Sequence, residues 1–352
     1  MIQPFNMFCM DTLIDDIGSF PLPLHINREL FNKAYVLARE AVINGKDIRK
    51  DEFLLNNFYQ VIIDSFKKKR DAGLDVINYP QHYDMHRQFT DAIRKVMDKG
   101  TYLVDEKHAI IPEVHAINQE AKRLFEEVGK KVLFRVCVTG PMELYLKEIG
   151  TTIYRDVLLM FAETVKRFAK NSILNSKYIT TKVVSLDETS FGFQDISADK
   201  DTIIDVLEKA FGFNGVIKHI HLHSSLRVAD TLGVKNLDVL SFEYAACPKN
   251  IEAVSKRMLE RADKQIRVGI SRTDIDSITA ELYEKGITKP EARQLIESQE
   301  AIRKRFEIVK EKYGERMTFT GPDCGLGGWP TQEAAQLLLM RTVNVVKSVE
   351  LT

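Results

Sequence analysis

Short apolar runs alternate with longer amphipathic stretches along the whole chain, and this alternation limits the fold more than any other feature. The runs that read as strands are Ile14–Phe20, Leu74–Tyr79, Val132–Thr139, Val183–Asp187, Ile217–His223, Leu237–Tyr244, Gln265–Ser271 and Met317–Thr320. Between them lie stretches with helical spacing. One carries Leu30, Phe31, Ala34 and Leu37, another Phe58, Val61, Ile62 and Phe66, and a third Val157, Leu158, Phe161, Val165 and Phe168. Arg293–Tyr313 reads as one long charged helix, and Thr331–Val349 as the last helix. Eight strand–helix repeats predict an α/β fold, a (β/α)8 TIM barrel formed by residues 1–352 as a single domain. No stretch rich in Pro, Ser or Gly divides the 352 residues. Lys99–Glu113, with Tyr102 and His108, is long for a connection and reads as a lid, an extra hairpin or a plain loop.

In such barrels the chemistry lies at the C-terminal ends of the strands. The fifth run ends His219-Ile220-His221-Leu222-His223, and strand alternation would point all three imidazoles to one face. The sixth run ends at Glu243, and the eighth leads into Asp323-Cys324. His221, His223, Glu243 and Cys324 together offer two nitrogens, an oxygen and a sulfur, a mixture that Zn2+ accepts in a tetrahedron. A carboxylate at an otherwise apolar strand end is costly unless it is paired or bound. Each residue also has a plainer reading: a hydrogen-bonded histidine, a packed thiol, a glutamate bridging an arginine. Cys247 or a water is the other candidate for the fourth position. His219 lies deeper in its strand and reads as structural. After the fifth run, Ser224 and Ser225 read as opening a helix that carries Leu226, Val228, Ala229 and Leu232.

Charge and composition exclude several classes. Formal net charge is +0 and the sequence pI is about 7.1, with no basic run interleaved with aromatics, so nucleic acid is not an expected partner. No run approaches the roughly 20 apolar residues of a membrane span. The first twenty residues carry Asp11, Asp15 and Asp16 and no apolar signal core, and cysteines 9, 137, 247 and 324 show no paired spacing. Both features suggest a cytoplasmic protein.

The strand ends carry motifs in a recognisable order. Ile17-Gly18-Ser19-Phe20-Pro21, Val138-Thr139-Gly140-Pro141, Asp187-Glu188, His219-Ile220-His221, Glu243 and Pro322-Asp323-Cys324-Gly325-Leu326 follow one another from end to end. In this the chain resembles the catalytic barrel of the cobalamin-independent methionine synthases, and more closely their short, single-barrel archaeal-type relatives. The fold type shared with uroporphyrinogen decarboxylases is implied as well, although the rim here carries soft metal ligands rather than an arginine cluster. The resemblance implies a zinc enzyme that methylates homocysteine to methionine. It also implies that Asp187 takes the substrate ammonium and that Gly18 and Ser19 take its carboxylate. For Asp187 a helix N-cap and for Ser19 a turn role stay open.

The departures from that pattern are informative. His223 stands where the family usually has a second cysteine. Two neutral imidazoles, a glutamate and one thiolate neutralise Zn2+, whereas the usual set carries one more negative charge. The metal should therefore be more Lewis-acidic, and a thiol held by it of lower pKa and weaker nucleophilicity. The family's folate-stacking tryptophan is absent from Leu144-Tyr145-Leu146-Lys147, and the downstream glutamate of its strand-four motif falls near Phe193. The acidic residue after strand two is replaced around Pro80-Gln81. The proton-donor histidine corresponds to Asp276, the candidate catalytic acid here. The long enzymes also have a second, N-terminal barrel. These departures favour a methylated corrinoid, carried on a protein, over methyl-folate. Two other readings stay open: a zinc alkyltransferase acting on another thiol, such as a coenzyme thiol, and a non-catalytic barrel that binds a thiol ligand or a partner protein.

Overall fold

The computed structural model describes residues 12–193 and 198–351; Cys9 and Asp11 lie outside the described residues. The strands are β1 (Leu13–Ile14), β2 (Ile77–Asn78), β3 (Val132–Thr139), β4 (Ile179–Asp187), β5 (Ile217–Leu222), β6 (Val239–Phe242), β7 (Gln265–Ser271) and β8 (Met317–Pro322). They form one curled sheet of eight parallel strands in the order β1-β8-β7-β6-β5-β4-β3-β2. Parallel bridges of Asp15 with Val76 and of Ser19 with Gln81 link the β1 and β2 segments at the two ends of that order.

All eight expected strands are present, and β3 and β7 have the expected bounds. β1 is much shorter than Ile14–Phe20. Gly18 takes φ +39, which interrupts extended backbone, and pairing resumes only at the Ser19 bridge. The first long helix, Arg28–Ile43, buries Phe31, Ala34, Tyr35 and Ala38, one face at helical spacing. Leu30 and Leu37, expected inside, lie off that stripe and are exposed. The charged stretch expected as Arg293–Tyr313 is broken. A short 3-10 turn covers Ala292–Leu295, and the helix proper is Gln299–Tyr313, because the Ser298 side chain accepts from Ala301 N–H and starts it afresh. After β5 the helix is only Val228–Thr231, and Leu226 is exposed. Residues 101–111 contain no strand, and Tyr102 packs on Phe161 at 5.4 Å between ring centroids.

The inner face of the sheet is layered with a period of two residues. Leu13, Val76, Leu133, Val183, Ile217, Val239 and Phe319 form an apolar cluster separate from the main core under the helices. Two residues further along each strand come Asp15, Asn78, Arg135, Ser185, His219 and Ser241, all fully buried. Another two residues on come Cys137, Asp187, His221 and Glu243. Strand alternation aims every second side chain inward, so three layers stack from an apolar floor through a polar middle to the rim. Asp15 pairs with both Arg135 and Arg267, the latter at 2.6 Å from Nε, and all three side chains are fully buried. His219 belongs to this middle layer. Its Nδ1 lies 3.1 Å from Arg135 Nη1, and its ring meets Phe319 edge-on at 4.6 Å.

Glu113, on the first turn of helix Pro112–Val128, is fully buried, and Gln88 donates to it at 3.4 Å. Burial pushes its pKa up to about 8, so the native state keeps a proton that the unfolded chain releases near pH 4.5. Stability should therefore fall as pH rises from about 5 through 8. Glu113→Gln stays neutral throughout and should flatten that part of the Tm-against-pH curve. An unchanged slope would show that Glu113 does not contribute the titration.

Candidate metal centre

Four of the residues singled out above meet at the rim. Ligand atoms of His221, His223, Glu243 and Cys324 all lie within 4.8 Å of one another. Cys324 Sγ is 3.3 Å from His223 Nε2, and His223 Nε2 is 3.5 Å from Glu243 Oε1. Ligands about 2.1 Å from a tetrahedral ion are roughly 3.4 Å apart, so these spacings suit zinc. Cys247 is not in the group. It precedes the 3-10 turn Pro248–Glu252.

Backbone geometry assembles the group. β5 carries His221, whose register partners are Asp187 on β4 and Ser241 on β6. β5 ends at Leu222, and His223 follows immediately, with its ring 5.4 Å from that of His221 at 73°. Asn250 Nδ2 donates to the carbonyls of His223 (3.0 Å) and Glu243 (2.9 Å), clamping two ligand-bearing strand ends together. Asp323 takes the N–H groups of Tyr244, Ala245 and Ala246 at 3.0, 3.0 and 2.6 Å, which ties the Cys324 segment to the Glu243 segment.

The donor set could hold a cation. His221 is fully buried, its Nδ1 sits 3.2 Å from Ser241 Oγ, and its Nε2 has no partner among the described residues. A buried ring nitrogen left bare while the other is oriented by a hydroxyl is the arrangement of a metal-ligating histidine. Burial, and then the neighbouring His223, Arg267 and Arg135, hold the His221 pKa well down, so the ring is neutral and free to donate its lone pair. Burial, with Asp323 and Asp274 nearby, pushes Glu243 up to about 8. Burial and Glu243 push the Cys324 thiol far above its ordinary value. Two acids that cannot ionise side by side can do so around a divalent ion.

Asp187 lies at the edge of this group. It is buried, and burial raises its pKa to about 6, opposed by Arg135, by Ser185 and by Arg267. Its carboxylate accepts from Ser185 Oγ at 2.8 Å rather than capping a helix. The following helix, Lys200–Ala210, is capped by Asp199, which accepts from Thr202 N–H at 2.7 Å, while Glu188 takes the N–H groups of Met142 (3.0 Å) and Glu143 (2.7 Å) at the start of helix Pro141–Glu148 and sits where any Cβ on Gly140 would collide with it. Ser19 Oγ accepts from Gly327 N–H at 3.1 Å, and Ser19 O accepts from Leu326 N–H at 2.8 Å, so the residue serves the turn next to Cys324. A Cβ at Gly18 would lie 2.8 Å from Cys137 Sγ. Asp276 is not brought to the group. It is exposed on the first turn of helix Ile275–Glu284, and the acids that act electrostatically on Glu243 are Asp323 and Asp274.

Sequence reasoning missed Ser241, Asn250 and Glu143. Glu143 takes His86 Nε2 at 2.8 Å and Ser190 N–H at 2.7 Å, and these bonds outweigh burial to hold its pKa down to about 2. Ser241 could have been found by counting back two residues from Glu243. Nothing in the sequence marks Asn250 or Glu143.

No family model matches the chain, and no curated protein does. Solved structures do. A B12-independent methionine synthase from Shewanella sp. W3-18-1, in complex with selenomethionine, aligns over 97% of this chain and 98% of its own, with a TM-score of 0.60 and 14% identity. A methyltransferase from Methanosarcina mazei aligns over 95% and 94%, with a TM-score of 0.53 and 11% identity. At these identities the likeness is one of fold: from end to end, the chain has the α/β architecture of both.

Proposed function

We propose that this chain is a zinc-dependent methyltransferase that methylates the thiol of homocysteine, with a methylated corrinoid as donor. In this reading the eight strands close through the Asp15–Val76 and Ser19–Gln81 bridges into a single-domain (β/α)8 barrel. The observation that carries it is the convergence of His221, His223, Glu243 and Cys324, with the His221 Nε2 lone pair buried and unclaimed. The shared fold with a methionine synthase crystallised with selenomethionine supports a sulfur amino acid at this rim.

His221, His223, Glu243 and Cys324 would hold a zinc ion, which would supply the positive charge that keeps an incoming thiol deprotonated at neutral pH. Ser241 orients the His221 ring, and Asn250 and Asp323 hold the strand ends in place, so the donor atoms are oriented before substrate arrives. In this reading Asp187, at the edge of the group, takes the substrate ammonium. With its pKa raised to about 6, it is largely ionised at pH 7 and gains a counter-charge on binding. In the transfer the sulfur lone pair forms the S–CH3 bond, the donor–CH3 bond breaks with its electrons staying on the donor, and the thiol proton leaves to solvent. Holding sulfur and methyl in line supplies much of the rate.

The donor assignment rests on what faces the rim. Lys147 is exposed, Tyr145 is fully buried with its hydroxyl on Thr152 O, and Phe193 is exposed, so none of them forms an acidic, aromatic cradle for a pterin. Unpaired buried polar groups cost about 1–3 kcal/mol each, so two missing partners weaken methyl-folate by about a hundredfold or more. Zinc-loaded protein with homocysteine should form methionine from methylcobalamin and little from methyltetrahydrofolate at any glutamate number. Efficient turnover with methyl-folate and none with methylcobalamin would reverse the assignment. A second reading, transfer to another thiol, is favoured by the neutral Gln81 beside Ser19.

A further inference from the structure

A cavity of about 440 Å³ opens at the rim beside Ser19, between the end of β1 and the end of β2. Ser19, Gln81, Gly327, Arg28 and Arg87 are among the residues that line it. Ser19 links it to the metal group: Gly325, the residue after Cys324, packs so closely that a Cβ there would lie 2.2 Å from Ser19 Oγ. A small thiol whose sulfur is beside Cys324 could therefore extend its other end into this cavity.

Two arginines and one acid carry the charge of the lining. Arg28 donates to His82 O at 2.6 Å and has no carboxylate partner among the described residues. Arg87 lies over the Tyr83 ring at 5.3 Å, with Asp91 3.7 Å away, and Asp91 already accepts from Tyr83 OH at 2.7 Å. Asp84 is the one acid among the lining residues, and its Oδ1 is taken by the N–H groups of His86 (3.0 Å) and Arg87 (2.8 Å). His82 is committed on both ring nitrogens, to Phe20 O and to Ser65 Oγ. The two arginines are the first residues of helices Arg28–Ile43 and Arg87–Met97, so both positive helix ends add to the field. Asn27 and Asp84 already satisfy leading N–H groups there, so an anion would be taken by the guanidinium groups, with Arg28 keeping its bond to His82 O and Arg87 its contact with Asp91.

We infer that this cavity is an anion subsite, in which Arg28 and Arg87 select a ligand bearing a carboxylate or phosphate group several bonds from its reacting atom. The inference deepens the proposed function by adding a requirement on its ligands. The anion belongs either to the thiol acceptor or to the methyl donor.

Inorganic phosphate titrated calorimetrically into the metal-free protein tests the subsite without reference to zinc or turnover. The parent should bind it at least ten-fold more tightly than the Arg28→Gln, Arg87→Gln double variant, whose fold is checked by circular dichroism. Equal binding in the two proteins, or none in the parent, overturns the inference even if the methyltransferase assay succeeds. Two further pairs of probes on zinc-loaded protein identify the source. If the acceptor carries the anion, 3-mercaptopropionate should outbind 3-mercaptopropanol ten-fold in the parent and lose that advantage in the variant. If the donor carries it, the lost advantage is that of methylcobalamin, with its phosphodiester, over methylcobinamide.

Discussion

Replacing Cys324 with alanine should abolish metal binding and leave the fold in place. Cys324 supplies the soft ligand of the group, 3.3 Å from His223 Nε2, on the loop just past β8. Removing it leaves two imidazoles and a carboxylate, and affinity for zinc should fall by at least about a hundredfold, since even a partner one step removed from the metal is worth 10–100-fold. The neighbouring anchors remain. Asp323 still holds the three N–H groups of residues 244–246, and the backbone N–H of residue 324 still reaches Thr273 Oγ1 at 3.2 Å. Deleting one small, half-buried side chain costs little packing, so the melting temperature of the metal-free variant should match that of the metal-free parent. The measurement is zinc per chain after dialysis, with thiol methylation assayed in parallel. One zinc per chain in the variant would show that Cys324 is a packed thiol and that the ion is held elsewhere.

Much of this arrangement can be read from the order of residues along the chain. β3 and β7 were exact because each is bracketed by turn or charged residues and filled with β-formers. The four candidate ligands could be named because each is an unexpected residue type at the end of an apolar run. The polar layer beneath them was harder. Asp15, Arg135 and Arg267 each look like an isolated charge in sequence, and only strand register shows that they share one level. His219 is read apart from the four candidate ligands because it lies two residues before His221 on the same strand. For Asp276 and Ser19, local resemblance does not show the surroundings, which tertiary contacts decide. Asp276 replaces a histidine in the family pattern, yet its place on a helix turn leaves it exposed. Ser19 matches a substrate-binding serine, and here its hydroxyl takes Gly327 N–H. Asn250 was invisible because its role is to hold two carbonyls that are distant in sequence.

That buried middle layer should also give the largest effect on stability. Among the described residues Asp15 is the one carboxylate paired with Arg135 and Arg267, and the three side chains are completely enclosed. The guanidiniums are already short of partners: Arg135 Nε and Nη2 and Arg267 Nη1 have none, although Arg267 Nη2 donates to Pro322 O at 2.9 Å. Asp15→Ala leaves two cations facing each other at low dielectric, and removing one member of a buried ion pair costs about 3–5 kcal/mol. The backbone adds to the cost of any rearrangement. Asp15 N–H donates to Thr320 O at 3.0 Å, and its carbonyl lies so close to Gly321 that a Cβ there would be 2.0 Å away, so the main chain cannot move to let water in. Adding Arg267→Met to Asp15→Ala should recover part of the loss, because it removes one of the stranded charges and replaces it with an apolar side chain of similar length. Urea unfolding of the parent, the single variant and the double variant measures both effects. A single-variant cost below about 1 kcal/mol, or a double variant less stable than the single, would mean that the layer is hydrated and Asp15 is not its keystone. The layer carries the rim above it on the same strands, Arg135 below Cys137 and His219 below His221, so a collapse of the ion pair should loosen the metal group before the outer helices unfold.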